Sequence, residues 1–245
     1  MLDKQLYSRA KRKQYGFIAV SSATDPYLQA EKKYEMMRAA LKVIAKHQFP
    51  VHIITKSDLI ERDFDLLHTI DENAILPDDL RSRLGRGVVV SFSFSTLDDK
   101  VVKIFEPGAT PPSFRLKAIE KSLAEGLYTG ISLMPLLPHI SDTQESLEHM
   151  YSTFKALNVK YILSASLTLF GTGKADSKTL MMQAITKYFP ELKETYNEYF
   201  KYRYQISNHY KRILSQRLRE LSVRFEIPDK IEGSHSKNLK YPLNA

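Results

Sequence analysis

Three apolar runs in this chain end in small hydroxyl residues, and one of them also ends in a lysine. Phe17-Ile18-Ala19-Val20 leads into Ser21-Ser22-Ala23-Thr24-Asp25, and Val51-His52-Ile53-Ile54 leads into Thr55-Lys56-Ser57. The third, Val88-Val89-Val90, continues as Ser91-Phe92-Ser93-Phe94-Ser95. In a strand, alternate side chains point to opposite faces. Ser91, Ser93 and Ser95 therefore share one face, and Phe92 and Phe94 share the other. Hydroxyls turned inward must meet a ligand, water or one another. An ammonium at the end of an apolar strand needs an anion such as a carboxylate, or an exit to solvent. The pattern suits a site for a polar small molecule. Plainer readings stand beside it: serines satisfied by water, Lys56 reaching solvent or capping a helix, and Asp25-Pro26 starting a helix as N-cap and N1.

Other chemistries find little support. The chain has no cysteine, which removes disulfides and thiolate-bound metals from its own residues. Its seven histidines are scattered, with no pair at helical ligand spacing, so no metal site is expected. Neither a pair of carboxylates nor a Ser/His/Asp set converges at the strand ends, which argues against a hydrolase. Arg62 and Asp63 read as a surface pair.

The elements that carry these groups alternate. A basic helix over residues 2–14 comes before the first strand, 17–20. From Tyr27 the apolar spacing turns helical through Ala30, Tyr34, Met37, Leu41 and Ile44 until Phe49-Pro50. The strand at 51–55 is followed by a helix from Asp58 to about Ile70, and a polar insertion precedes the strand at 88–94. A helix at 113–125, a strand at 129–134, a turn at 135–138, a helix at 142–157 and a strand at 161–165 complete the series. Short apolar strands joined by helices imply parallel pairing. No glycine-rich phosphate loop is present, so a partial β/α barrel fits better than a dinucleotide-binding sheet. Its ligands would sit where strands end. Residues 1–170 are assigned to this barrel, 171–228 to a C-terminal helical extension and 229–245 to a polar tail. The tyrosines from Tyr188 to Tyr204 suit helix packing, or, less economically, base stacking.

The net charge is +8, with basic residues crowding both the start and residues 201–224. This is compatible with nucleic acid or with a solvated helix pair. The chain shows no apolar run of membrane-spanning length and no signal segment, so a cytoplasmic location is expected.

The stretches "ATDPYLQAEKKY", "VHIITKSDLIERDFDLL", "VSFSFSTLDDKVVKIFEPGATPPSFRLKAIEKSLAEGL" and "GISLMPLLPHISDTQESLEHM" resemble the spore photoproduct lyase-like branch of the radical S-adenosylmethionine (SAM) superfamily, often labelled DNA repair photolyases. The likeness runs from about Gly16 to Leu167. It implies a partial (β/α)6 TIM-like barrel, here missing its first strand and followed by C-terminal helices. It also implies a lyase-type chemistry in which a reduced [4Fe–4S] cluster, fed by a reductant, cleaves SAM to a radical that abstracts hydrogen, with a DNA lesion as one substrate class. By this resemblance Ser22 lies near the methionine or ribose part of SAM, Lys56 near its carboxylate, and Ser93 near its ribose or carboxylate. The family's cluster cysteines, C-x3-C-x2-C, have no counterpart here. The expectation is a truncated or degenerate chain: either the downstream part of an iron–sulfur enzyme, or a non-catalytic barrel that binds SAM or a partner. An unpaired apolar edge at Phe17–Val20 favours the first.

Overall fold

The computed structural model of the chain describes residues 1–20 and 24–232. Each apolar run forms a strand: β1 (Ile18–Val20), β2 (Val51–Thr55), β3 (Val88–Phe94), β4 (Tyr128–Leu136) and β5 (Ile162–Ser166). All pair in parallel, in the order β1-β2-β3-β4-β5. Parallel neighbours require crossovers, and crossovers of one hand between successive strands put the crossover helices on one face. The sheet therefore curls into a half-barrel, with its other face concave.

Helix α1 (Leu2–Lys11) precedes β1, and α2 (Glu31–Tyr34) and α3 (Met36–Lys46) lead to β2. A 3-10 turn (Asp58–Asp63), α4 (Phe64–Asn73) and α5 (Asp78–Arg81) lead to β3. From there α6 (Asp99–Phe105) and α7 (Pro112–Ala124) lead to β4, and α8 (Gln144–Ala156) to β5. The chain continues through α9 (Ser177–Tyr188), α10 (Lys193–Phe200) and α11 (Asn208–Phe225). Among the described residues no helix is long and apolar enough to cross a membrane.

The alternation in β3 sorts as its spacing requires. Phe92 and Phe94 are fully buried on the helix side, where Phe94 meets Phe154 of α8 with ring centroids 5.3 Å apart. Burying a side chain of this size contributes about 1.5–3 kcal/mol. The serines take the concave face. Behind the loops at the strand ends, Leu137, Leu167 and Leu169 pack with Ile185, Tyr196 and Phe200 of α9 and α10 in a second apolar cluster.

Three local expectations need correction. The helix expected from Tyr27 is broken: Glu35 takes φ +47°, and Tyr34 is exposed while Met37, Leu41 and Ile44 are buried. The cause is Glu31, whose buried carboxylate accepts from Met37 N (3.0 Å) and Arg38 N (3.4 Å). An anion on those free N–H groups favours restarting the helix there. Arg62 and Asp63 are not a surface pair. Asp63 has no exposed surface and binds both Arg38 (2.8 Å) and Arg62 (2.9 Å). Asp25-Pro26 starts no helix; Asp25 instead joins two strand ends, as described below.

Candidate functional site

The concave face is layered from its floor upward. At the floor, the ring of Tyr161 stacks on Tyr128 with centroids 5.6 Å apart. Above it, the Ser91 hydroxyl lies 2.7 Å from Tyr161 Oη and 2.8 Å from His52 Nε2, and Tyr161 Oη also donates to Val90 O (3.0 Å). Burial pushes the His52 imidazole down to about 4. Gly130, the register partner of Ser91, makes room for this layer: a Cβ there would stand 2.6 Å from the Tyr161 ring. This part of the interior is therefore closed by protein atoms, and Ser91 needs no ligand.

The next layer differs. Ser93 and Ser132 are register partners on β3 and β4. Ser93 Oγ donates to Met134 O at 3.2 Å, while Ser132 Oγ is buried with no hydrogen-bond partner. A buried hydroxyl left unpaired is unfavourable by about 1–3 kcal/mol, which marks a place where a polar ligand atom would fit.

The mouth above them is held by two carboxylates. Asp25, from the loop after β1, accepts from Thr55 Oγ1 (2.8 Å), Tyr27 N (2.9 Å) and Lys56 N (2.6 Å), clasping the end of β2. Glu106 comes back over the mouth at the end of α6, a helix started by Asp98, whose side chain caps Lys100 N and Val101 N. Its Oε1 meets Lys56 Nζ (3.0 Å) and Ser95 Oγ (2.7 Å), and its Oε2 meets Arg115 Nη2 (2.7 Å). Arg115, fully buried on α7, also donates to Ser93 O (2.8 Å) and Thr110 O (2.6 Å). Burial alone would raise the Glu106 carboxyl; Lys56 and Arg115 beside it outweigh that and hold it below the usual carboxylate range.

Lys56 is thus fixed from one side by Glu106 and keeps 29% of its side chain exposed. An ammonium has three N–H donors, so the others face a cleft of about 250 Å³ lined by Asp25, Gln29, Lys56, Phe105, Glu106 and Thr110. Of the residues singled out from sequence, Lys56 stands at this cleft and Ser93 lies one layer beneath the mouth. Ser22 falls outside the described residues. Glu106, Arg115 and Ser132 were missed, because no local spacing links them to Lys56 or Ser93. Among the described residues no group of three His, Asp or Glu could hold a metal ion.

No family model matches the chain. An uncharacterised protein of Mycobacterium tuberculosis is 24% identical over 211 residues, 86% of this chain and 57% of that protein. Uncharacterised protein ORF301 of Acidianus two-tailed virus is 27% identical over 193 residues, 78% of this chain and 58% of that one. The chain thus spans less than two thirds of the length of these relatives. Among solved structures, a substituted spore photoproduct lyase superposes with a TM-score of 0.64 at 15% identity, covering 91% of this chain and 64% of that one. A doubly substituted form with bound AdoMet and dinucleoside spore photoproduct superposes with a TM-score of 0.61 at 16% identity over the same shares. The chain therefore has the fold of spore photoproduct lyase, as the motifs at its strand ends led us to expect.

Proposed function

We propose that this chain is the SAM-holding barrel of a radical SAM enzyme of the spore photoproduct lyase-like branch, with a DNA lesion or related nucleic acid as its substrate class. The observation that carries the reading is the mouth itself: a half-free Lys56 ammonium above an unpartnered Ser132 hydroxyl, at the strand ends where a barrel of this kind binds its ligand. Lys56 would take the SAM carboxylate. Ser93 and Ser132 would serve its ribose hydroxyls, and the resemblance gives Ser22 the methionine or ribose part. Small-molecule pockets usually run from about 300 to 1,000 Å³. The cleft of about 250 Å³ accommodates part of such a molecule. Support for a polyanionic substrate comes from the net charge of +8. Expected locations and partners follow the reading: cytoplasm, and a reductant if a cluster is present.

An iron–sulfur cluster does not fit these residues. There is no cysteine in the 245-residue chain, and thiolates are what hold such a cluster. The chain's own groups account for holding SAM, not for cleaving it. Under the first reading, the cysteines and the first strand of a (β/α)6 barrel belong to a segment outside these residues. The short β1 supports this, since it is paired only with β2 among the described residues. The lack of any cysteine supports a second reading, in which the barrel binds SAM or a partner without chemistry. Sequencing the message upstream of the Met1 codon separates them. An in-frame C-x3-C-x2-C there fits the enzyme; a stop codon without that motif leaves a binding protein.

A further inference from the structure

The tyrosines of the C-terminal region divide into two groups. Tyr196 is buried, its hydroxyl donating to Pro138 O at 2.9 Å. Tyr202 and Tyr204 are 86% and 63% exposed, and Phe170, 57% exposed, lies beside Tyr204 with ring centroids 5.4 Å apart and planes inclined at 30°. The backbone fixes this patch: Leu169 N donates to Tyr204 O (2.8 Å), and Thr168 forms an antiparallel bridge to Gln205. These rings add little to the core, and clustered exposed aromatics mark contact surfaces.

Position ties the patch to the mouth. Phe170 lies in the loop after β5, so in a parallel sheet it sits at the same edge as Lys56 and Ser95. Beside it, an open groove of about 530 Å³ runs along α9, lined by Gly171, Lys178, Gln183 and Lys187. Phe189, just past α9, stacks at 5.8 Å on Phe105, a wall of the Lys56 cleft. This ring pair joins the end of α9 to the wall of the cleft.

Charge points the same way. Residues 171–225 hold eleven Lys and Arg against five Asp and Glu, which gives six of the chain's eight net positive charges. Several cations elsewhere are taken up by ion pairs: Arg38, Lys46, Lys56, Arg62, Arg86, Arg115 and Lys121 each hold a carboxylate. Among the described residues of 171–225, only Arg224 does so, with Glu148. Lys174, Lys201, Arg203, Lys211 and Arg212 form no ion pair among the described residues, and Lys201 sits 5.1 Å from the Tyr202 ring centre. Flat exposed rings flanked by unpaired cations match a ligand of flat rings joined by negative charges. Bases are free to stack on side chains when the strand is single. An acidic peptide supplies the charge without the rings.

We propose that Phe170, Tyr202 and Tyr204, with Lys201 and Arg203, form a docking surface for single-stranded nucleic acid, which runs along the α9 groove toward the Lys56 cleft. This rests on the nucleic-acid side of the proposed function, and its test reads binding alone, so it stands or falls apart from SAM.

The test is fluorescence anisotropy of labelled oligo(dT) with the full chain, competed by unlabelled oligo(dT), by duplex DNA and by heparin as an anion without bases. Oligo(dT) should compete better than heparin at equal charge. Tyr202→Ala and Tyr204→Ala should each weaken binding roughly tenfold, and Tyr202→Phe should retain it. The double change Lys201→Ala/Arg203→Ala should lower the log–log salt slope by roughly 0.7 for each phosphate deprived of its cation. Absence of binding, equal competition by heparin, a preference for duplex, or unchanged affinity in Tyr202→Ala, whose exposed ring leaves folding untouched, would each overturn the proposal.

Discussion

Lys56 Nζ stands 3.0 Å from Glu106 Oε1, joining the end of β2 to the end of α6 across the mouth of the half-barrel. The same carboxylate holds Arg115, which has no exposed surface, so one acid orients two cations, one facing the cleft and one buried. Lys56 is thus positioned before any ligand arrives.

Glu106→Gln should therefore be strongly destabilising. It leaves the Arg115 guanidinium buried without its counter-charge, a loss of about 3–5 kcal/mol. Urea unfolding at neutral pH measures it; a loss under about 1 kcal/mol would mean that the Ser93 and Thr110 carbonyls suffice for Arg115. Because the folded carboxyl titrates below its unfolded value, its contribution is present above the unfolded value and is lost as pH falls through the folded one.

His52 gives a separate signature. Its folded value of about 4 lies below the unfolded value of 6.5, so the unfolded chain binds the extra proton between them. Stability present above pH 6.5 should fall as pH drops toward 4, by up to about 1.4 kcal/mol per pH unit. His52→Gln should flatten that window in unfolding curves taken from about pH 4 to 7, and an unchanged slope would refute the assignment.

Ser132→Ala removes an unpaired buried hydroxyl. Stability should hold or rise by about 1 kcal/mol, since an apolar group of similar shape replaces a polar one without a partner. SAM binding should weaken. A clear loss of stability would mean that Ser132 has a structural partner after all.

Gly130→Ala would push a Cβ to 2.6 Å from the Tyr161 ring. The floor layer must shift, and the expected loss is about 1–3 kcal/mol. Thermal melts report it, and a variant as stable as the parent would show that the layer yields easily.

What the sequence disclosed was local. The apolar runs at Val51–Thr55 and Val88–Phe94 became strands with those limits, because a buried parallel strand reads as an uninterrupted apolar stretch. The serine alternation placed Ser93 on the concave face for the same reason. What stayed hidden was pairing at a distance. Nothing near Lys56 announces Glu106, fifty residues on, nor does "SFRLK" announce that Arg115 is buried. Asp25 reads locally as a helix start, yet its carboxylate is taken by Thr55 and Lys56 from another strand end. Periodicity reports which face a residue takes, and not which polar group it meets there.

Calorimetric titration of the 245-residue chain with SAM, alongside Lys56→Ala, decides whether this mouth holds SAM through Lys56. The parent should show weak saturable binding, with a Kd of ~1 mM, and a Lys56→Ala protein that melts normally should show none. No saturable heat with the parent, or the same curve for both proteins, would contradict it.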